Sequence, residues 1–287
     1  MASTLERPVV QRRRPPRPDA PAASSRISGF FRGALPPFVV FVVFVSVWQA
    51  VCQAFSLPRY LYPSPTDIVG AWIENQSTLL VALVSTLMAA VIGFGSAIVV
   101  GMAVALIMSQ SKLLERSLFP YAVLLQTIPI VAIAPVIVIW VGAGLSAVAT
   151  IAFIIALFPI ITNTHAGLTA TDHNLVAMFE LYNASWWQRM TKLKFPAALP
   201  YIMTGLRISS GLSVIGAIVG EFIAGIGGLK GGIGYVITSA QAQIKMPYLF
   251  AAAFTSSILG IVIFVGVSFL SARFLRHWHE SAVRRDL

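Results

Sequence analysis

The strongest constraint on this chain is a set of long stretches that contain no Asp, Glu, Lys or Arg. They run for 26 residues between Arg32 and Arg59, 37 between Glu74 and Lys112, 55 between Arg116 and Asp172, and 27 between Lys245 and Arg273. A helix that crosses a bilayer needs about 20 mainly apolar residues, so the 55-residue stretch must form two helices. A further stretch from about 199 to 225 is interrupted only by Arg207 and Glu221. The sequence predicts six membrane helices, at about 38–57, 79–108, 118–141, 145–163, 199–223 and 249–274.

The composition supports a membrane protein. Of the 287 residues, 57% are apolar and only 10% are charged, against roughly 25% charged residues in soluble domains. A net charge of +10 would by itself suggest nucleic-acid binding, but such a high apolar fraction argues against nucleic acid as a partner. The single cysteine, Cys52, excludes an internal disulfide and a Cys-rich zinc site.

The distribution of basic residues predicts the orientation. With the N-terminus in the cytoplasm, 17 of the 20 Lys and Arg residues lie on the cytoplasmic side, and only Arg59, Lys230 and Lys245 lie opposite. Both termini are therefore expected in the cytoplasm. Residues 1–34, rich in Arg and Pro, are expected to be a disordered tail that orients the first helix or contacts lipid head groups or a partner. The six-helix membrane domain is expected over 35–276, with a long cytoplasmic loop at 164–199, and a short tail over 277–287.

Several patterns predict how the helices pack and bend. Gly93, Ala97, Gly101 and Ala105 form a ridge of small residues that permits close helix packing within or between subunits. The Gly142-Ala143-Gly144 sequence predicts the turn that divides the 55-residue stretch. Kinks are expected at Pro129, Pro135 and Pro159.

Glu221 is the only acidic residue within a predicted span. A carboxylate inside a membrane is costly, so it lines a cavity or path, or else makes a structural bond to a residue such as Lys230. Both alternatives stay open. Gln126, Asn163 and Pro129 are weaker candidates for lining a substrate path.

No motif in the chain predicts catalysis. The glycines at 225–234 are followed by no Gly-Lys-Ser or Gly-Lys-Thr, so they do not form a phosphate-binding loop, and a flexible or re-entrant external loop is expected there. The spacing of the four histidines matches no metal-binding pattern. No catalytic residue, metal ligand or cofactor site is therefore expected.

The loop at 164–199 has features of a docking surface. Asp172 is a plausible N-cap for a short helix with Leu175, Val176, Phe179 and Tyr182 on one face. A second short segment, 186–194, is expected to end at Phe195-Pro196. Two short amphipathic helices outside the membrane suggest contact with a soluble partner or with the lipid surface.

In this loop the sequence resembles the membrane permeases of bacterial ABC importers. Their loop reads Glu-Ala-Ala, three residues, Gly, nine residues, Ile, one residue, Leu-Pro. With Pro196 as the last proline, the Glu-Ala-Ala positions fall on 177–179 and the Gly position on Asn183, a residue type that tolerates left-handed backbone. Only the proline is identical. The wider resemblance, over about 57–275, includes Ile128-Pro129 to Trp140-Val141-Gly142, Gly205-Leu206-Arg207 and Gly220-Glu221.

The resemblance implies an all-α membrane protein with six transmembrane helices, the type I ABC importer permease fold and a cytoplasmic coupling helix between spans 4 and 5. It implies a second copy of the chain or a homologous permease, two cytoplasmic ATPase subunits, an extracytoplasmic substrate-binding protein, and the bacterial inner membrane. ATP and Mg²⁺ are expected in the ATPase, with no cofactor on this chain. The residues that it places in ATPase coupling are Leu175, Ala177, Met178, Glu180, Asn183, Ala184, Ser185 and Pro196.

The transported solute is less constrained. The resemblance points to permeases for nitrate, sulfonates, taurine, pyrimidine precursors and riboflavin, and segments 158–164 and 215–222 favour the heterocyclic precursors. A secondary active transporter that needs no ATPase is the main alternative, although the chain shows no internal repeat and only one carboxylate within a span. A membrane-embedded scaffold is a third.

Overall fold

A computed structural model describes the backbone over 23–224 and 231–283, and the side chains over 35–224 and 231–275. The helices are α1 (Ala23–Ala54), α2 (Pro65–Glu74), α3 (Gln76–Met108), α4 (Lys112–Thr127), α5 (Ile130–Val141), α6 (Leu145–Thr169), α7 (His173–Leu181), α8 (Trp186–Arg189), a π-helix (Met190–Lys194), α9 (Phe195–Ala224), α10 (Ile233–Ala242) and α11 (Met246–Val283). The described part of the chain contains no strand.

The chain divides into two compact units, residues 1–54 and 55–287. The first contains α1, whose stretch Leu35–Ala54 is long and apolar enough to cross a membrane. Its large apolar side chains are mostly exposed, as expected for a helix surrounded by lipid. The backbone is already helical from Ala23, within the segment expected to be a tail, and no proline interrupts the sequence between Pro21 and Pro36. Residues 1–22 of that tail lie outside the described residues.

The core of the second unit is α6, which lies between α3 and α9. The small ridge of α3 faces α6: a Cβ added to Gly93 would lie 2.7 Å from the carbonyl oxygen of Ala149, and one added to Gly101 would lie 2.8 Å from Ile160. On the other side, Ser209 of α9 donates a hydrogen bond to the carbonyl of Ala156 at 2.6 Å. The tight packing predicted for the ridge is therefore confirmed, and it occurs within one chain.

The third predicted span, 118–141, is broken into α4 and α5, which meet at 99°. Pro129 has no N–H to continue the ladder, and a proline disfavours helical backbone at the residue before it. Ile128 accordingly adopts extended angles and ends α4. The prediction of one continuous helix was wrong, although the kink expected at Pro129 marks the break. The helices continue through Pro135 and Pro159.

The number of spans agrees with the sequence. In the described residues, five helices are long and apolar enough to cross a membrane, and α4 with α5 makes six if that pair counts as one span. The turn between α5 and α6 is confirmed by positive φ angles at Gly142 (87°) and Gly144 (114°). Helix α11 continues to Val283, into the segment predicted as the C-terminal tail.

Two short helices, α2 and α10, were not predicted. Helix α2 begins with a capping box in which the Asp67 N–H donates to Ser64 Oγ at 3.3 Å and the Ser64 N–H donates to Asp67 Oδ2 at 3.1 Å. The Ser64 hydroxyl also donates to Asp67 Oδ2 at 2.6 Å. The bond from the Ser64 hydroxyl is the main cause that lowers the pKa of Asp67 below its ordinary value. The Ser64 N–H and Arg59 lower the pKa further. The carboxylate therefore stays ionised and holds the start of α2.

Candidate functional site

Helix α7 is fixed at both ends by its own sequence. The Asp172 side chain accepts the N–H of Asn174 at 2.8 Å, which confirms the expected N-cap. At the other end Asn183 has φ of 52°, the N–H of Asn183 donates to Glu180 O and the N–H of Ala184 donates to Phe179 O, both at 2.9 Å. These two bonds form a Schellman motif, which requires a left-handed residue at this position. Asn183 therefore stands at a glycine-type position, as the sequence suggested.

Helix α8 is tied to α7. Ser185 and Gln188 form a capping box, with the Ser185 N–H donating to Gln188 Oε1 at 2.8 Å. Arg189 donates to Glu180 Oε1 at 2.9 Å, joining α8 to α7. We call residues 172–194 the docking segment. Its local bonds make α7 and α8 one unit.

The docking segment continues into α9 without a break. The sequence predicted that its second part would end at Phe195-Pro196, but the π-helix runs directly into α9. The ring of Pro196 crowds the carbonyl one turn earlier and supplies no N–H, which explains why the preceding turn is widened to a π-helix. The N–H of Phe195 donates to Met190 O in this wider pattern.

The docking segment exposes an apolar surface. Leu181 is 83% exposed, Tyr182 80%, Met178 44% and Leu175 43%. Val176 and Phe179, on the adjoining part of α7, are partly buried. The face predicted for Leu175, Val176, Phe179 and Tyr182 therefore has an exposed edge, at Leu175 and Tyr182, and a partly buried edge, at Val176 and Phe179. Four large apolar side chains in one patch are a typical contact surface.

The docking segment also contacts the end of α3. The indole N–H of Trp186 donates to Gln110 Oε1 at 2.7 Å, and Gln110 Nε2 donates to Leu106 O, in the last turn of α3, also at 2.7 Å. A cavity of about 210 Å³ lies beside this contact, lined in part by Glu180, Arg189 and Lys194.

Glu221 lies near the other end of α3 and is fully buried. The hydroxyl of Thr86, on α3, donates to Glu221 Oε1 at 2.9 Å, and the N–H of Gly234, on α10, donates to Oε2 at 2.8 Å. The N–H of Ile233 donates to Thr86 Oγ1 at 2.9 Å. We call Glu221, Thr86 and these two N–H groups the buried clamp. It joins α3, α9 and α10.

The buried clamp supplies hydrogen-bond acceptors to the first N–H groups of α10. The first N–H groups of a helix have no partner inside it, and the helix dipole favours a negative group there. The carboxylate of Glu221 provides that group, so this residue makes a structural hydrogen bond, one of the two roles expected of it. Lys230, the partner suggested by the sequence, lies outside the described residues. A role for Glu221 in the substrate path stays a prediction.

The other predicted path residues do not gather around Glu221. Gln126 and Pro129 are exposed near the bend between α4 and α5. The Asn163 amide donates to Pro159 O, on its own helix, at 2.8 Å, and its Cβ lies close to Gly205 of α9. Sequence patterns did not predict Thr86, Gln110 or Trp186 as partners. A Thr in an apolar helix usually bonds its own backbone, as Thr86 also does with the carbonyl of Ala82, and Gln110 and Trp186 are 76 positions apart.

The substitution Gly232→Ala is expected to destabilise the protein by about 1–3 kcal/mol. An added methyl group would collide with the carboxylate of Glu221 and displace the start of α10. The matched control is Gly211→Ala in α9, where a Cβ meets nothing within 4 Å. Thermal unfolding of the purified protein in detergent measures both; equal midpoints for the two variants would contradict the described clamp.

Comparisons with known proteins identify the family. Residues 97–285 match the family described as "Binding-protein-dependent transport system inner membrane component". The chain is 34% identical to the formylaminopyrimidine transport permease protein ThiX of Halalkalibacterium halodurans over 235 residues, which are 82% of this chain and 92% of ThiX. It is 33% identical to the riboflavin transport system permease protein RibX of Chloroflexus aurantiacus over 253 residues, 85% of this chain and 90% of RibX.

The fold is also that of a solved transporter. A chain from the inward-facing conformations of the MetNI methionine ABC transporter superposes with a TM-score of 0.57 at 20% identity, over 69% of this chain and 95% of that one. The prediction of the all-α type I importer permease fold is confirmed. This chain belongs to the family of inner membrane components of binding-protein-dependent transport systems, the permeases of ABC importers.

Proposed function

We propose that two copies of this chain form the path for a small solute, and that the docking segment of each copy inserts into a cleft of a cytoplasmic ATPase. The observation that carries this proposal is the exposed apolar patch of α7, presented by a segment whose ends are fixed by the Asp172 cap and the Asn183 turn. A contact that transmits movement needs a rigid element with a hydrophobic centre, and this segment has both features. Within it we assign ATPase contact to Leu175, Ala177, Met178, Glu180, Asn183, Ala184 and Ser185, and we assign Pro196 to the connection with α9.

Several roles belong to other chains in this proposal. ATP and Mg²⁺ bind the partner ATPase, this chain carries no cofactor, and an extracytoplasmic binding protein delivers the solute. The 17 to 3 division of basic residues favours both termini, and the docking segment, on the cytoplasmic side. Cysteine labelling in intact cells tests the orientation. Gln188→Cys, in a chain whose own Cys52 is replaced by Ser, is expected to react only with membrane-permeant reagents.

The test of ATPase docking is association between purified chains. The permease, in detergent, is expected to retain the ATPase encoded with it on an affinity column. Failure of the two chains to associate, in the presence and the absence of ATP, would contradict the proposal and favour a secondary transporter.

The substitution Asn183→Val tests the turn that shapes the docking segment. A β-branched residue in left-handed backbone costs about 1–2 kcal/mol, so ATPase association is expected to weaken about 5- to 30-fold. Asn183→Gly is the matched control, because glycine adopts this backbone without cost. The measurement is a binding titration, and equal affinities for the Val and Gly variants would show that the left-handed turn is not required.

We infer a heterocyclic vitamin precursor, of the pyrimidine or riboflavin type, as the solute. The support is that ThiX and RibX are 34% and 33% identical to this chain, while the nitrate import permease protein NrtB of Synechocystis is 29% identical. A sulfonate or nitrate-like anion is the second candidate, because the putative sulfonate permease protein SsuC of Escherichia coli is 32% identical. Mass spectrometry of the ligand that co-purifies with the cognate binding protein decides between the two classes.

For the path itself we propose Glu221, Gln126, Asn163 and Pro129. Pro129 contributes through the 99° bend, which creates an exposed break with Gln126 close by. Irregular backbone at membrane depth is tolerated where it faces protein or a water-filled cavity.

A further inference from the structure

We propose that α3 carries movement from the docking segment to α10, on the extracytoplasmic side, with two positioning residues: Gln110, just beyond the end of α3, and Thr86, ten residues after its start. This inference rests on the proposed function, since the ATPase must first act on the docking segment. Helix α9 is joined covalently to the docking segment and carries Glu221. Helix α3 reaches the same segment through Gln110 and the same carboxylate through Thr86. The two helices are therefore connected at two places, one near each end of α9.

The attachment at Gln110 joins two ordered elements. Trp186 belongs to α8, within the docking segment, and the Arg189–Glu180 pair at 2.9 Å joins α8 to α7. Gln110 passes the contact to the backbone of α3 through its bond to Leu106 O. Rotation of the docking segment therefore displaces the end of α3 relative to α9. The π-helix adds compliance on the α9 side, because its wider turn is less regular than an α-helix.

Helix α3 can transmit this displacement. It is continuous over 33 residues and contains no proline. The 22 residues from Thr86 to Met108, where α3 ends, correspond to about 33 Å at 1.5 Å per residue. Gly93 and Gly101 hold α3 directly against α6, which limits bending toward that helix. A shift at Gln110 thus reaches Thr86, whose hydroxyl binds both Glu221 and the N–H of Ile233.

The consequence is control of α10, on the side of the membrane where the binding protein is expected. The start of α10 is held by one N–H bond to Glu221 and one to Thr86. If α3 and α9 shift against each other, these two bonds cannot both keep their lengths, and α10 must move. In the opposite direction, a binding protein that presses on α10 shifts α3 and signals to the ATPase.

The test is a double-mutant cycle between Gln110 and Thr86. It uses proteoliposomes that contain the complete complex of permease, ATPase and binding protein. Gln110→Met removes the acceptor for Trp186, and Thr86→Val removes the hydroxyl at nearly constant shape. The measurement is stimulation of ATP hydrolysis by substrate-loaded binding protein, relative to each variant's own basal rate. Each single variant is expected to reduce stimulation about 3- to 10-fold, since it removes one or two hydrogen bonds. Stimulation in the double variant is expected to be no lower than in the more impaired of the two single variants.

Two controls define the outcome. Thr86→Ser keeps the hydroxyl and is expected to stay within about twofold of wild type. Thr78→Val lies at the exposed start of α3. The fold-losses of stimulation caused by Thr78→Val and by Gln110→Met should multiply in the double variant, as they do for independent sites. If Thr86→Val does not assemble, Glu221→Gln takes its place in the cycle. Unchanged stimulation in either single variant, or multiplied losses in the double variant, overturns the inference. Failure of the wild-type chain to bind the ATPase overturns the proposed function instead.

Discussion

Replacing Glu221 by Gln is expected to reduce solute uptake about 5- to 100-fold while the chain still assembles with its partners. Gln keeps the size of the side chain but removes the charge and one acceptor. The single carbonyl oxygen of Gln can accept from the N–H of Gly234, while the hydroxyl of Thr86 loses the carboxylate and keeps only the carbonyl of Ala82 as acceptor. Loss of hydrogen bonds to a buried charged group costs about 1–3 kcal/mol, which corresponds to the expected range. Uptake by proteoliposomes that contain the full complex is the measurement.

The matched control for this change is Glu74→Gln, which makes the same chemical substitution at an exposed position of α2. Its uptake is expected to equal that of wild type. Co-purification of the ATPase with Glu221→Gln checks that the complex is intact. Wild-type uptake by Glu221→Gln would contradict a role for the carboxylate in transport and leave it a structural one.

Placing a charge on the exposed patch of α7 is expected to produce the second large effect. Met178→Glu should weaken ATPase association about 30-fold or more, because a carboxylate in the centre of an apolar contact must lose water without gaining a partner. Ala177→Arg, on the adjoining exposed position, is expected to act in the same direction. A binding titration with purified ATPase measures both variants.

The control is Met178→Leu, which conserves volume and apolar character. It is expected to bind within about threefold of wild type. Thermal unfolding should be unchanged in the Met178 variants, since this side chain is 44% exposed and contributes little to the core. If the Met178→Glu chain binds the ATPase as tightly as the Met178→Leu chain, the patch is not the contact surface.

Most of the membrane architecture follows from the sequence, because a lipid solvent imposes a simple rule. Every spanning segment must be a long apolar helix, so charge-free stretches locate the spans closely. The break at Pro129 shows the limit of this rule. Pro129, Pro135 and Pro159 look alike in the sequence. Of these three, only Pro129 coincides with a change from helical to extended backbone.

The docking segment could be predicted in part from local chemistry. The Asp172 cap and the left-handed turn at Asn183 depend on residues within a few positions, so their types are informative. Which edge of α7 is buried depends on residues far along the chain, such as Ser109 and Gln110, which line the same cavity as Val176, and no local pattern specifies it. Val176 and Leu175 are both apolar, and only the packing distinguishes the inward residue from the exposed one.

The buried clamp could be predicted only to the level of one unusual residue. Glu221 is conspicuous because a carboxylate is rare in a span, but its partners are a threonine 135 positions earlier and the backbone N–H of Gly234. Backbone donors leave no trace in the sequence. Thr86 resembles any other Thr in an apolar helix, so its role becomes apparent only when α10 packs beside α3.

The central claim, ATP-driven import through this chain, is tested most directly by solute uptake in proteoliposomes that contain the permease, its ATPase and its binding protein. The account predicts uptake only when hydrolysable ATP is present on the side of the docking segment, and none with a non-hydrolysable analogue or without the ATPase. Uptake driven by an ion gradient through the permease alone would contradict it.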